Sequence, residues 1–277
     1  MITSCRNQFV REVIQLNQKA KVRDRQELFV AEGVKMFLEA PTERIHRVYI
    51  AQRAEAELRG VHGDKLGKLP VEIVADDVFD SMSDTKTPQG ILCLVRQFHY
   101  EIDEMIAASI NKKHALFIIM EDIQDPGNLG TVFRTGEGAG VDGIIMSSRT
   151  VDVYNPKVIR STMGSVYRVP FLYTDDLCAA IRTLQKHGIS TYAAHLNGTK
   201  YYDGYDYCRG TAFLIGNEGN GLREETADCA DELIRIPMEG CVESLNAAVA
   251  SSILLYEAYR QRRNGQKSEQ ACLREFA

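Results

Sequence analysis

At 277 residues the chain exceeds one average domain, so one large or two modest domains are expected. Apolar residues make up 44% and charged residues 26%, ordinary for a globular protein that can bury a core. The formal net charge of −5 excludes a protein that coats nucleic acid through a broad basic face, though not an enzyme that grips RNA through a local patch.

The N-terminal stretch is one such patch. Arg6, Arg11, Lys19, Lys21, Arg23 and Arg25 face only Glu12 and Asp24 there, which fits an RNA contact or a solvated helix face equally. The cysteines, Cys5, Cys93, Cys178, Cys208, Cys229, Cys241 and Cys272, are odd in number and scattered, with no C-x-x-C pair and no histidine at zinc spacing. That pattern predicts reduced thiols and no metal site. No apolar run approaches bilayer length and no signal-peptide core precedes the first helix, so a soluble cytoplasmic protein with no membrane partner is expected.

In chain order, a periodic basic segment over Val10–Lys21 predicts a helix. Phe29–Gly33 follows as a strand and turn, and Val34–Ala40 as a second helix. Val48–Ile50, Val71–Val74 and Ile91–Val95 read as strands, the last apolar enough to be central. Residues 98–113 are polar with helical spacing and suit a linker. Beyond them Ala115–Met120 is a buried-type strand, Asn128–Ala139 a helix and Asp142–Met146 a strand. Pro156 opens a short helix, and Val166–Leu172 is strand-like. Asp175–His187 is a helix closed by Gly188; Thr191–Leu196, Ala212–Ile215 and Leu233–Ile236 are strands; a long amphipathic helix runs over Ser244–Arg262. Strand and helix alternating in this way predict an α/β fold with a mostly parallel sheet covered on both faces.

Ligands of such sheets bind beyond the carboxyl ends of the strands, and three loops there are unusual. They are Gln124–Arg134, Gly216–Leu222 and Ile236–Asn246. No G-x-x-x-x-G-K-[ST] is present, so a P-loop NTPase is excluded. Gly136-Glu137-Gly138-Ala139-Gly140 reads as helix termination rather than a dinucleotide fingerprint, and Gly164-Ser165 lies outside any G-x-S-x-G elbow. Taken singly, each loop has a bland explanation. Asn128 is placed to cap the following helix, Arg134 reads as a surface charge, and Glu218 sits in what could be a plain glycine turn. Ser244 suits the cap of the last helix, whereas capping accounts poorly for Asn246.

Together the loops form three ordered motifs: Asn128-x-Gly130-x-x-x-Arg134 extended to Gly140, Gly216-Asn217-Glu218-Gly219-x-Gly221-Leu222, and Ile236-Pro237-Met238-x-Gly240-x-x-x-Ser244-Leu245-Asn246. Over roughly residues 112–264 the chain thereby resembles the SpoU (TrmH-like) branch of the SPOUT RNA 2′-O-ribose methyltransferases. Departures are small: Ala247 stands where the family often has Val, and Asn217 where Ala or Ser also occurs, neither touching a polar functional group. Asn7–Gly33, with Arg25, Phe29, Glu32 and Gly33, resembles the small substrate-binding domain of two-domain members, similar to ribosomal protein L30e. The division implied is a substrate-binding domain at 1–97, a linker at 98–113, the methyltransferase domain at 114–264 and a tail at 265–277.

The resemblance implies a deep trefoil knot in the C-terminal domain, with S-adenosylmethionine bound there in a bent shape and S-adenosylhomocysteine released. Gly216, Ile236, Met238 and Leu245 match positions whose backbone holds the adenine and ribose, and a side chain at Gly216 is expected to obstruct the ligand. Arg134 matches the catalytic arginine. It is expected to bind an RNA phosphate and stabilise alkoxide charge, with Asn128, Glu218, Ser244 and Asn246 keeping it and the ribose in register. No metal is implied. A homodimer is, with Ser251, Ile253, Leu254 and Tyr256 as candidate contacts that core packing explains equally well. The two-domain build favours 23S ribosomal RNA as partner. A transfer RNA 2′-O-methyltransferase, or a catalytically silent RNA-binding or ribosome-assembly factor on the same fold, are the alternatives.

Overall fold

The computed structural model describes residues 1–110, 114–242 and 244–275, with side chains described except at 110 and 265–275. Residues 111–113 of the expected linker, Glu243 of the third loop, and 276–277 of the expected tail lie outside the described residues. The chain separates into two compact units: Met1–Phe98 with Asp152–Tyr167, and His99–Val151 with Arg168–Ala277.

In the first unit the basic N-terminal segment forms two helices rather than one. α1 (Gln8–Gln18) and α2 (Ala20–Gln26) are separated by Lys19, which is extended. Asn7 caps α1 by accepting from the Phe9 N–H, and Val10, Val13 and Leu16 turn an apolar face inward. Arg23 is neither an RNA contact nor a solvated charge: it is buried, and its guanidinium donates to the Leu16 carbonyl and the Asp152 carboxylate. Strands β1 (Leu28–Glu32), β2 (Ile45–Ala51), β3 (Val71–Val74) and β4 (Ile91–Arg96) form a sheet of order β1-β4-β2-β3. Only β2 and β3 pair parallel, and β4 is interior, as its apolar run predicts.

Helix α3 (Val34–Glu39) forms where expected, but α4 (Glu55–Leu66) and α5 (Asp76–Met82) are additional. α4 buries only Leu58 and Leu66, too little to print an apolar stripe on the sequence. The inserted segment contributes the helix that is α8 in chain order (Pro156–Thr162), opened by Pro156 and capped by Asn155.

In the second unit α6 (Ile102–Ile110) occupies the expected linker, yet Met105 and Ile106 are buried in the same apolar cluster as Ile181 and Leu184. Then follow β5 (Leu116–Met120), α7 (Pro126–Ala139), β6 (Gly143–Ser147), β7 (Phe171–Thr174), α9 (Leu177–Lys186) and β8 (Ser190–Ala194). The short β9 (Lys200–Tyr201), β10 (Thr211–Ile215), α10 (Glu224–Ala227), β11 (Glu232–Arg235) and α11 (Ala247–Glu275) complete it. The seven strands run β7-β6-β5-β10-β8-β11-β9, every pair parallel. β5, β6 and β10 are buried at every residue, as strands covered on both faces must be.

Three expectations are corrected here. Residues 165–167 form a 3-10 turn, so the strand expected over Val166–Leu172 begins only at Phe171. α11 starts at Ala247 rather than Ser244 and extends to Glu275. The thiols are not all reduced: Cys178 on α9 and Cys229 after α10 are joined in a disulfide, while Cys5, Cys93, Cys208 and Cys241 are free. Among the described residues no helix is long and apolar enough to cross a membrane, and no cluster of residues suits a metal ion.

Candidate active site

At the carboxyl ends of β8, β10 and β11 lies a cavity of about 260 Å3, the position where open parallel sheets bind ligands. Ile215, Leu222, Ile234, Ile236 and Leu245 give it apolar walls, and His195, Glu218 and Ser244 supply polar groups. Gly216 and Met238 also line it, so every residue matched to cofactor binding faces one space.

The turn after β10 is closed by paired backbone bonds between Asn217 and Gly221, at 3.0 and 2.9 Å. Asn217 is no idle position. Its Oδ1 accepts from the N–H groups of Gly219 and Asn220, and its Nδ2 donates to the Asp122 carbonyl at 2.7 Å. This closure also explains Gly216. A Cβ there would come within 2.0 Å of the Gly221 carbonyl carbon and 2.1 Å of the Leu222 nitrogen, so the turn's own backbone, before any ligand, excludes a side chain.

Asp125, not Asn128, caps α7: its carboxylate accepts from the Asn128 N–H at 2.8 Å, with Pro126 next in the chain. The Asn128 side chain is thereby released. Its Nδ2 donates to Glu218 at 2.9 Å, and its Oδ1 accepts from Nδ2 of Asn246 at 2.9 Å. Asn246, rather than Ser244, holds the start of α11, accepting from the N–H groups of Ala248 and Val249. The backbone N–H groups of Gln124 and Asp125 both donate to Glu218 at 3.2 Å. Burial pushes the Glu218 carboxyl up, but donors from Asn128 and from the backbone at Glu218, Gln124 and Asp125 outweigh it and hold the group below its ordinary value.

Of the residues singled out from sequence, Asn128, Glu218 and Asn246 are thus linked directly. Ser244 lies on the cavity wall, exposed and outside that hydrogen-bonded chain. Arg134 is exposed on α7, does not line the cavity, and has no hydrogen bond or ion pair among the described residues. Ser251 and Leu254 are fully buried within the chain, which leaves Tyr256 as the exposed member of the α11 set. The sequence reading passed over Glu121, buried at the end of β5. It accepts from the Arg223 backbone and guanidinium and from the Thr226 hydroxyl, and so clamps the chain leaving the glycine turn. No local pattern distinguishes Glu121; the Asp-Pro pair at 125–126 does mark the true cap.

Residues 115–256 match the SpoU rRNA Methylase family and residues 7–93 an MRM3-like substrate binding domain. A Staphylococcus haemolyticus chain assigned to the TrmH family of tRNA/rRNA methyltransferases is 32% identical over 197 residues, spanning 70% of this chain and 79% of that one. The 23S rRNA (guanosine(2553)-2′-O)-methyltransferase RlmP of Bacillus subtilis is 29% identical over 255 residues, spanning 92% and 97%. Among solved structures, an rRNA methyltransferase from Sinorhizobium meliloti superposes with a TM-score of 0.81 at 30% identity, over 94% of this chain and 96% of that one. An AdoMet-bound rRNA methyltransferase from the same organism superposes at 0.78 and 30%, over 94% and 97%. The parallel sheet, with its cavity at the strand ends, is that of the methylase class which the family match describes. The chain belongs to the SpoU rRNA methylase family.

Proposed function

We propose that the chain methylates a ribose 2′-hydroxyl in 23S ribosomal RNA, with the first unit engaging the RNA. The observation that carries this reading is the convergence of three distant loops. Gly216, Ile236, Met238 and Leu245 share one cavity, and Glu218 on its rim is tied to Asn128 and through it to Asn246. An apolar slot edged by backbone groups suits an adenosyl moiety. S-adenosylmethionine, when bound, would supply an electrophilic methyl carbon and leave as S-adenosylhomocysteine, the bond to the ribose oxygen forming as the sulfonium–carbon bond breaks; orientation of the two reactants can contribute about 7–11 kcal/mol. Asn128, Glu218, Ser244 and Asn246 position the ribose. Arg134, its guanidinium free among the described residues, meets the RNA phosphate and the charge that develops on oxygen as the hydroxyl proton passes to solvent.

This reading includes the family's knot and a homodimer. Val249, Tyr256 and Tyr259 support the dimer, since they stand exposed on α11 at helical spacing. Sedimentation that finds a fully active monomer defeats it. An RNA of this kind places the enzyme in the cytoplasm. The test is calorimetry with S-adenosylmethionine, then labelled-methyl transfer to ribosomal and transfer RNA, with 2′-O-methyl mapping of the product. Methyl groups confined to transfer RNA, or on bases, overturn the assignment.

A further inference from the structure

The first unit holds a cavity of its own, of about 300 Å3, that the methyl-transfer chemistry does not use. It opens where the β1–α3 junction, the loop before β4 and the end of α8 meet. Its foundation is Glu32, a 9% exposed carboxylate at the end of β1. Glu32 accepts from the hydroxyls of Ser83 and Thr85 and from the Asp84 N–H, which fixes the course of the loop. Gly33, at φ +101°, lets the chain pass close to Gln89: a Cβ there would lie 2.9 Å from Gln89 Oε1. Gln89 Oε1 accepts from the Val34 N–H at 2.9 Å. The amide is therefore oriented, and its Nε2 donor has no partner among the described residues.

The groups left facing this space are of two kinds. Gln89 Nε2, the Thr87 hydroxyl, Lys35 and Arg160 are donors, two of them cationic; Lys35 also lies 3.6 Å from the Glu39 carboxylate, a half-exposed pairing that leaves its ammonium able to reach a ligand. Arg160 is steadied by one nitrogen, Nη1 on Asp84 at 2.8 Å, and its other guanidinium nitrogens make no bond among the described residues. Met36 and Met163 supply polarizable apolar surface; Met163, held at φ 52°, is 39% exposed. Cations with a soft apolar wall suit a phosphate and the face of a base. A space of this size admits one unstacked nucleotide and is too small for a duplex.

We propose that this cleft receives one unstacked nucleotide of a single-stranded segment of the RNA substrate, with Lys35 and Arg160 on its phosphate and Met163 against its base. The proposal rests on the reading of the chain as an RNA-modifying enzyme and adds where, outside the methyl-transfer cavity, the RNA is held.

The full chain is titrated by fluorescence anisotropy with a labelled mixed-sequence RNA pentanucleotide and with its abasic counterpart. Lys35→Glu should weaken RNA binding about tenfold and lower the salt slope by about one, as loss of a phosphate contact does. Met163→Ala should weaken the RNA but not the abasic strand, with the salt slope unchanged. Lys68→Glu, an exposed charge reversal elsewhere in the same unit, should have little effect. Wild-type affinity in both cleft variants overturns the proposal, as does Lys68→Glu weakening binding as much as Lys35→Glu. Should either cleft variant melt early, photocrosslinking of the wild type to a 4-thiouridine pentanucleotide decides. Adducts on peptides carrying Met36, Thr87 or Met163 support the cleft, and adducts confined to other peptides refute it. Calorimetry with S-adenosylmethionine runs in parallel: its failure sinks the methyltransferase reading while leaving RNA binding at the cleft to stand or fall on its own.

Discussion

The side-chain amide of Asn128 donates to the Glu218 carboxylate at 2.9 Å, joining residues 90 positions apart. The direction of that bond is set from the far side. Asn246 Oδ1 is engaged by backbone N–H groups of α11, so its Nδ2 must face Asn128 Oδ1, and Asn128 Nδ2 must then face Glu218. One helix start thereby orients a residue on another helix, and through it the rim of the cavity.

Glu218→Gln keeps the shape of the carboxylate and removes its charge. Hydrogen bonds to charged groups contribute about 1.5–3 kcal/mol each, so S-adenosylmethionine affinity measured by calorimetry should fall about tenfold. Because the folded protein holds the Glu218 carboxyl below its ordinary value, its stabilisation is present above the unfolded value and is lost as pH falls through the lowered one. The difference in melting temperature between wild type and Glu218→Gln should therefore persist at neutral pH and shrink progressively as pH falls below the ordinary carboxylate range. A difference that grows on acidification contradicts this.

Arg134→Ala should bind S-adenosylmethionine as the wild type does and lose methyl transfer by at least ~10²-fold, the usual consequence of removing transition-state charge stabilisation. Single-turnover transfer to ribosomal RNA measures it. Retained activity removes Arg134 from the mechanism.

Gly216→Ala drives a methyl group into the backbone of Gly221 and Leu222, atoms that cannot rotate away. The variant should melt earlier by about 1–3 kcal/mol of lost stability, and its cofactor affinity should fall with the turn. A normal melt with only cofactor binding lost would mean that the ligand, not the backbone, requires glycine here.

The Cys178–Cys229 disulfide closes a separation of 51 residues, for which chain entropy alone gives about 4 kcal/mol. Reductant should lower the unfolding midpoint of the wild type and leave that of Cys178→Ser unchanged. Equal midpoints with and without reductant in the wild type would show that the bond adds no stability.

Much of this was legible along the chain. Buried parallel strands are continuous apolar runs, and the loops after them carry glycine, proline and asparagine, so the α/β class and the three candidate loops followed from local pattern. The family resemblance rested on those same loops. What sequence could not rank were competing local choices. Asp125 and Asn128 are both competent caps, as are Ser244 and Asn246, and the winner decides which side chain is released for the site. Nor could it place Glu121 under Arg223, bring Cys178 to Cys229, or assign residues 152–167 to the first unit. Periodicity reports how each element meets its own surroundings. Pairing across ninety positions is a property of the folded chain alone, because it arises only when separate strand ends are brought to one edge of the sheet.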